Sequence, residues 1–245
     1  MIAIDHGRTR RTTLVATICA LAVAGAALLT GCGGDDPDAG TNGVGKLPPD
    51  RIQAKTRAAA DTARAVRLSG TVVTSGLTYT LDMRLKSGGG TGSVTSKGGT
   101  FRLLRVGKQL YLKADADFWH HSGDTSAAGK LDDKYVKVPQ GDPAYRKFSG
   151  FTDKDVLLGG LLTLHGKLAA AGHHDQAGTR TIRITGDNGS GGTLDVSLDG
   201  TPYPLRLVRA GSAGTLTFSD WGKDFPAAEP AKSETVDYGR QLPGS

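Results

Sequence analysis

Thr78-Tyr79-Thr80-Leu81-Asp82-Met83-Arg84-Leu85 alternates polar and apolar side chains without a break. Successive side chains of a strand point to opposite faces. This run therefore sets Tyr79, Leu81, Met83 and Leu85 on a dry face and Thr78, Thr80, Asp82 and Arg84 on a wet one. Leu110 and Leu112 alternate in the same way with Tyr111 and Lys113. Glycines at Gly76, Gly88 to Gly90, Gly98-Gly99 and Gly107 punctuate the segment. Arg67 to Val138 thus reads as an antiparallel meander with one dry face, closing with Tyr135-Val136-Lys137-Val138 before Pro139.

The same pattern resumes after Gly178, over Thr179 to Thr185, Thr193 to Leu198, Pro204 to Ala210 and Thr215 to Ser219. The turns fall at Gly186 to Gly192 and Asp199-Gly200. Two helical segments break the strand pattern. Asp50 to Val66 follows Pro48-Pro49, is capped by Asp50, and gathers Ile52, Ala59, Ala63 and Val66 on one side. Thr152 to Ala171 is the most apolar segment of the body. Thr152 caps it, and Val156, Leu157, Leu161, Leu164 and Leu168 form a stripe that Leu158 and Leu162 widen. Gly159-Gly160 inside it permits a bend or a close approach. Asp115 to Lys134 reads as loose and Asp142 to Phe151 as turns.

A one-sided sheet must cover its dry face. The economical arrangement is an α+β fold in which one strongly curved antiparallel sheet of about ten strands cups two helices on its concave face.

At the N-terminus, residues 1–31 carry a basic head (Arg8, Arg10, Arg11), an apolar middle (Leu14 to Leu29) and a small-residue cut site. That order is a secretory signal, and Leu29-Thr30-Gly31-Cys32 reads as a lipobox. Cleavage makes Cys32 the acylated first residue, carrying palmitate-type chains. The protein is then held at the outer face of the cytoplasmic membrane. A single membrane-spanning anchor is the alternative, because the apolar run approaches spanning length. Export by the general route and by a twin-arginine route both fit Thr9-Arg10-Arg11. Residues 32–49, rich in Gly, Pro and Asp, read as a disordered tether. The domain proper occupies 50–225. From Trp221 the chain is proline-bearing, and 226–245 reads as a C-terminal tail.

Composition narrows the function classes. The 245 residues are 38% hydrophobic with 36 glycines and a net charge of +6. About +4 remains once the leader is gone. No basic stripe is interleaved with aromatic residues, so nucleic acid is not an expected partner. Cys19 leaves with the leader and Cys32 is acylated, which leaves no disulfide and no cysteine metal site. His120-His121 and His173-His174-Asp175 lack metal-ligand spacing and read as solvated loop residues, with a meeting of the two pairs in space as the metal alternative. No Gly-x-Ser-x-Gly elbow or P-loop is present, so neither an enzyme nor a cofactor is expected.

A lipobox and tether lead into a helix and the Ser-Gly-Thr strand of Leu68 to Val72. Val106-Gly107-Lys108-Gln109-Leu110-Tyr111, Trp119 and an apolar helix follow. Then come Thr181-Ile182-Arg183-Ile184-Thr185-Gly186 and Leu216-Thr217-Phe218-Ser219-Asp220-Trp221-Gly222. This series resembles the LppX/LprG-type lipoproteins of actinobacterial cell envelopes, whose fold is similar to that of the LolA/LolB carriers. The resemblance implies a half-barrel with helices over its concave face. It implies binding of an acylated lipid or glycolipid between sheet and helices, carriage of that lipid in the envelope, and an envelope transporter partner of unknown identity. It places lipid attachment at Cys32. It places the lipid-pocket lining at Leu81, Met83, Leu103, Leu110, Leu112, Leu157, Leu161, Leu164, Ile182, Ile184, Leu216 and Phe218. The competing reading is a non-enzymatic interaction or sensor lipoprotein whose core is filled.

Overall fold

A computed structural model describes residues 36–121 and 128–237. The leader, Cys32 and the end of the tail lie outside the described residues.

The N-terminal helix α1 runs over Pro49–Thr62. Proline at its first position suits a helix start, because the amide that proline lacks would have no partner there. Pro48, not Asp50, is the residue before it, and Asp50 contributes its charge to the first turn. Ile52, Thr56 and Ala60 are the buried stripe, one per turn. The helix ends at Thr62, and Ala65 and Val66, placed in it from sequence, already belong to the sheet.

The first meander comprises β1 (Ala65–Thr74), β2 (Leu77–Lys86), β3 (Gly89–Ser96), β4 (Gly99–Val106), β5 (Gln109–Ala114) and β6 (Tyr135–Val138). Between β5 and β6 lie α2 (Ala116–His121) and α3 (Ala128–Leu131); α4 (Pro143–Thr152) and α5 (Lys154–Leu161) follow β6. The second meander is β7 (Leu168–Gln176), β8 (Thr179–Gly186), β9 (Thr193–Ser197), β10 (Pro204–Val208) and β11 (Thr215–Ser219), and β12 (Thr235–Asp237) comes last. All twelve strands form one curved, open sheet in the order β12-β6-β5-β4-β3-β2-β1-β11-β10-β9-β8-β7. The first and last long strands meet at its centre, with Leu68 opposite Phe218 and Gly70 opposite Leu216.

Three expectations are corrected. The wholly antiparallel sheet gains one parallel pair, β12 beside β6. The glycine-rich stretch after Leu85, taken as punctuation, contains the central strand β3, because Gly89, Gly90 and Gly92 fit where side chains would strike neighbouring backbone. The long apolar helix over Thr152 to Ala171 is only the eight residues of α5. Leu168–Gln176 instead pairs with β8 as an edge strand. Its turn, Ala177-Gly178, has φ of 52° and 81°. Two consecutive left-handed residues make the turn whose twist suits a two-residue hairpin. The alanine run favoured helix by propensity, and the ladder to β8 overrode it.

The described parts of the tether and the tail, residues 36–49 and 226–237, carry contacts to the sheet that composition does not suggest. Val44 is buried at 2% exposure. The Asn42 amide donates to the carbonyls of Ser197 and Gly200, each at 3.0 Å. His173 meets Asp38 at 3.1 Å, and Arg180 donates to the carbonyls of Ala39 and Gly40. Residues 38–47 are therefore strapped to the β7–β9 end of the sheet. In the C-terminal segment, Lys86 binds Asp224 at 2.9 Å and the Phe225 carbonyl at 2.7 Å, and its ammonium lies over the Phe225 ring. Phe225 is buried, and beyond it the chain reaches β6 to form β12.

The Lys86 ammonium, followed by the Phe225 backbone amide, holds the Asp224 carboxyl below its ordinary range. A lowered carboxyl stabilises the fold above its ordinary pKa, near 3.9, and the contribution is lost as pH falls through the lowered value. The amide protection factors around Phe225, corrected for intrinsic exchange, are expected to fall selectively below about pH 4. Unchanged protection there from pH 6 to pH 3 contradicts this anchoring.

Candidate functional site

The concave face and the helices on it meet in a single apolar core. The twelve residues assigned to the lipid pocket all belong to it or pack against it. Leu81 and Met83 come from β2, Leu103 from β4, Leu110 and Leu112 from β5, Ile182 and Ile184 from β8, and Leu216 and Phe218 from β11. Leu157 and Leu161 lie on α5, and Leu164 just beyond it. The alternation that sent these strand residues to one face is what brings them together.

Their packing is tight. Met83, Leu103, Leu110, Ile184 and Leu216 have 0% accessible surface. A side chain with no accessible surface borders neither solvent nor a void wide enough for one water molecule. These residues fill the cup with one another. Trp119, at 2% exposure, also belongs to this core, edge-on to Phe118, which in turn meets Phe101.

The helical cover is fastened by polar contacts at its corners. Asp142 caps α4, accepting from the Ala144 amide at 2.7 Å. Asp153, between the two helices, caps α5 through the amides of Asp155 and Val156. The cap expected at Thr152 therefore sits one residue later. Arg105 of β4 reaches this corner, binding Asp153 at 3.0 Å and donating to the Thr152 carbonyl. Gly90 on β3 leaves room for the approach, since a Cβ there would lie 3.0 Å from the Thr152 carbonyl oxygen. Lys154 is 3% exposed, and its Nζ donates to the carbonyls of Ala60 at 3.3 Å and Asp61 at 3.0 Å, with Asp155 at 2.7 Å. It thus satisfies the C-terminal carbonyls of α1, where the helix dipole favours a cation. Sequence reading passed over Lys154 and Arg105. Their signal was the Asp153-Lys154-Asp155 cluster opening an apolar helix, which gives no hint that Lys154 turns inward.

The far end of α5 borders a groove. Leu158 and Leu162, at 1% exposure, carry its burial, while Val156, placed on the apolar stripe from sequence, is 64% exposed and Leu157 is half-buried. Leu161 and Leu164, at 9% and 6%, edge a groove of about 200 Å³ between the last turn of α5 and β10. His165 and Arg209 stand at its rim. Arg209 donates to the carbonyls of Val73 and Ala213. The Leu164 amide donates to Gln53 on α1 at 2.9 Å, and the His165 amide to the Gly191 carbonyl at 3.0 Å. The hinge segment after α5 is held at two points.

Of the described histidine side chains, His165 borders this groove and the others stand apart from it. His173 and His174 lie on the edge strand β7, and His120 is exposed on α2. Among the described residues no three His, Cys, Asp or Glu side chains converge as metal ligands do. Among them, too, no helix is long and apolar enough to cross a membrane.

The chain matches no protein-family profile and no curated protein sequence. Its fold is similar to that of a solved mycobacterial protein, and a second aligns more loosely. LprF from Mycobacterium bovis superposes with a TM-score of 0.54 at 17% identity, over 75% of this chain and 97% of that one. The Mycobacterium tuberculosis lipoprotein LppX aligns at 15% identity over 74% of this chain and all of that one, with a TM-score of 0.46. The likeness to LprF is one of fold: the open, curved sheet with helices on its concave face that the family resemblance implies.

Proposed function

We propose that this protein is a cell-envelope lipoprotein, anchored through acylated Cys32, that takes an acyl chain between the concave face and α5 by displacing that helix. The observation carrying the reading is the continuous apolar core that reaches a groove at Leu161 and Leu164, beside the cationic rim of Arg209. Such a mouth suits a molecule with a hydrocarbon tail and a polar or anionic head. The groove of about 200 Å³ is below the roughly 300–1,000 Å³ of ordinary ligand sites, so the chain must make its own room. The energies permit this. Moving Leu158, Leu161 and Leu162 out of the core costs about 1.5–3 kcal/mol each, roughly 5–9 kcal/mol together. One acyl chain burying about fourteen CH₂ groups returns roughly 11 kcal/mol.

The test is uptake of a fluorescent sixteen-carbon fatty-acyl probe by the protein and by its Leu161→Trp variant. The indole has the groove to occupy, so stability should change by less than about 1.5 kcal/mol while probe affinity falls at least tenfold. A second reading, an envelope interaction or sensor lipoprotein with a permanently filled core, is favoured by the 0% exposure of Met83, Leu103 and Leu110. On that reading the parent protein takes up no probe, and Leu161→Trp does nothing but overpack.

A further inference from the structure

The outer, convex face of the sheet carries a second concavity that lipid uptake does not use. It is an open trench of about 500 Å³ running over β2, β3 and β4. Its floor is the outward-facing Thr91 and Ser93 of β3, whose short hydroxyl side chains leave it low. Arg84, opposite Thr91, stands on one wall, and Arg102, opposite Ser93, on the other. The two arginines face each other diagonally across a single strand, over two strand spacings of about 4.8 Å each. Both are exposed, and among the described residues neither makes a hydrogen bond or salt bridge. The acid in the trench is already engaged. Asp82 accepts from Nε and Nη2 of Arg67, at 2.9 Å and 2.8 Å, and this pairing keeps its carboxyl below the ordinary range.

We propose that this trench binds a phosphate group. The charges within it leave an excess of two positive, both on planar guanidinium forks that bind oxyanions through two parallel hydrogen bonds. A carboxylate presents two oxygens and is satisfied by one fork, as Asp82 is by Arg67. A phosphate presents three or four acceptor oxygens and can take one fork from each wall, together with the Thr91 and Ser93 hydroxyls beneath. A phosphate ester in solution and the headgroup of a phospholipid surface supply the same chemistry.

Two probes separate those sources: glycerol phosphate, and vesicles of phosphatidylglycerol mixed into phosphatidylcholine. Each is titrated against the parent protein and three variants. Arg84→Gln with Arg102→Gln removes the forks. Arg84→Lys with Arg102→Lys keeps the charge and removes the fork geometry. Arg206→Gln removes an arginine from the same face, three strands away on β10. Melting temperatures confirm that these surface variants fold. Binding of glycerol phosphate is expected to weaken at least tenfold in both double variants and to be unchanged in Arg206→Gln. The same pattern with the vesicles alone assigns the site to lipid headgroups. Failure of the parent to bind either probe overturns the proposal. So does parent-like binding by the lysine pair, or an equal loss in Arg206→Gln, since either result marks diffuse surface charge. None of these outcomes depends on uptake of an acyl chain beneath α5.

Discussion

Gly92→Val is expected to cost about 3–5 kcal/mol, combining backbone strain of about 1–3 kcal/mol with overpacking of similar size. Gly92 lies on the concave side of β3 between Met83 and Leu103, at φ 159°. A Cβ there would collide with the Asp82 carbonyl oxygen and lie 2.7 Å from both the Cα and the Sδ of Met83. The first obstacle is backbone in mid-ladder, so the strand pair has to open to relieve it. Thr91→Val, one residue earlier on the outer face, serves as the control and should lie within about 0.5 kcal/mol of the parent. Chemical denaturation of the two variants is the measurement. Equal stabilities contradict the role given to Gly92 in letting β3 pair closely between β2 and β4.

Lys154→Met is expected to lower stability and, at the same time, to ease acyl uptake. Methionine preserves the apolar stem but takes the ammonium donor from the Asp61 carbonyl and from that of Ala60, which keeps only the Ala63 amide at 3.3 Å. Leaving a buried acceptor unsatisfied costs about 1–3 kcal/mol. Removing the charge also relieves the burial of an ammonium, which holds the net loss toward the lower end of that range. The functional consequence follows from where Lys154 sits, as the pin between the end of α1 and the start of α5. If α5 must move for a chain to enter, a weaker pin favours the open arrangement, and the fluorescent fatty-acyl probe binds more tightly or enters faster. A variant that loses stability with no gain in uptake places the moving part elsewhere.

These two positions also mark how far the sequence could be read. The strand alternation at Thr78 to Leu85 was legible because period two needs only local information. From it follow the dry face and the shared core of Leu81, Met83, Ile182 and Phe218. β7 was not legible. Leu168 to Gln176 is alanine-rich and mostly exposed, so it has no apolar face to announce a strand, and its conformation is imposed by β8. Nor were the fastenings: Asn42, Arg105 and Lys154 act on backbone carbonyls 155, 47 and 94 residues away. No local pattern encodes a partner at that distance. The strap at residues 38–47 looked disordered for the same reason, since its few apolar side chains hid the importance of Val44 and of hydrogen bonds made by Asn42. That Leu81, Met83, Ile184 and Leu216 share one core was legible in the alternation. That the side chains close upon one another could be learned only from the packing.

The proposed function rests on α5 leaving the core when a lipid arrives. Native mass spectrometry of the protein incubated with phosphatidylglycerol bearing sixteen-carbon chains, with Leu161→Trp alongside, addresses this most directly. The expected spectrum has a one-lipid adduct on the parent that survives mild activation, and little or none on the variant. A bare protein mass in both spectra contradicts the account and leaves the filled core as the functional state.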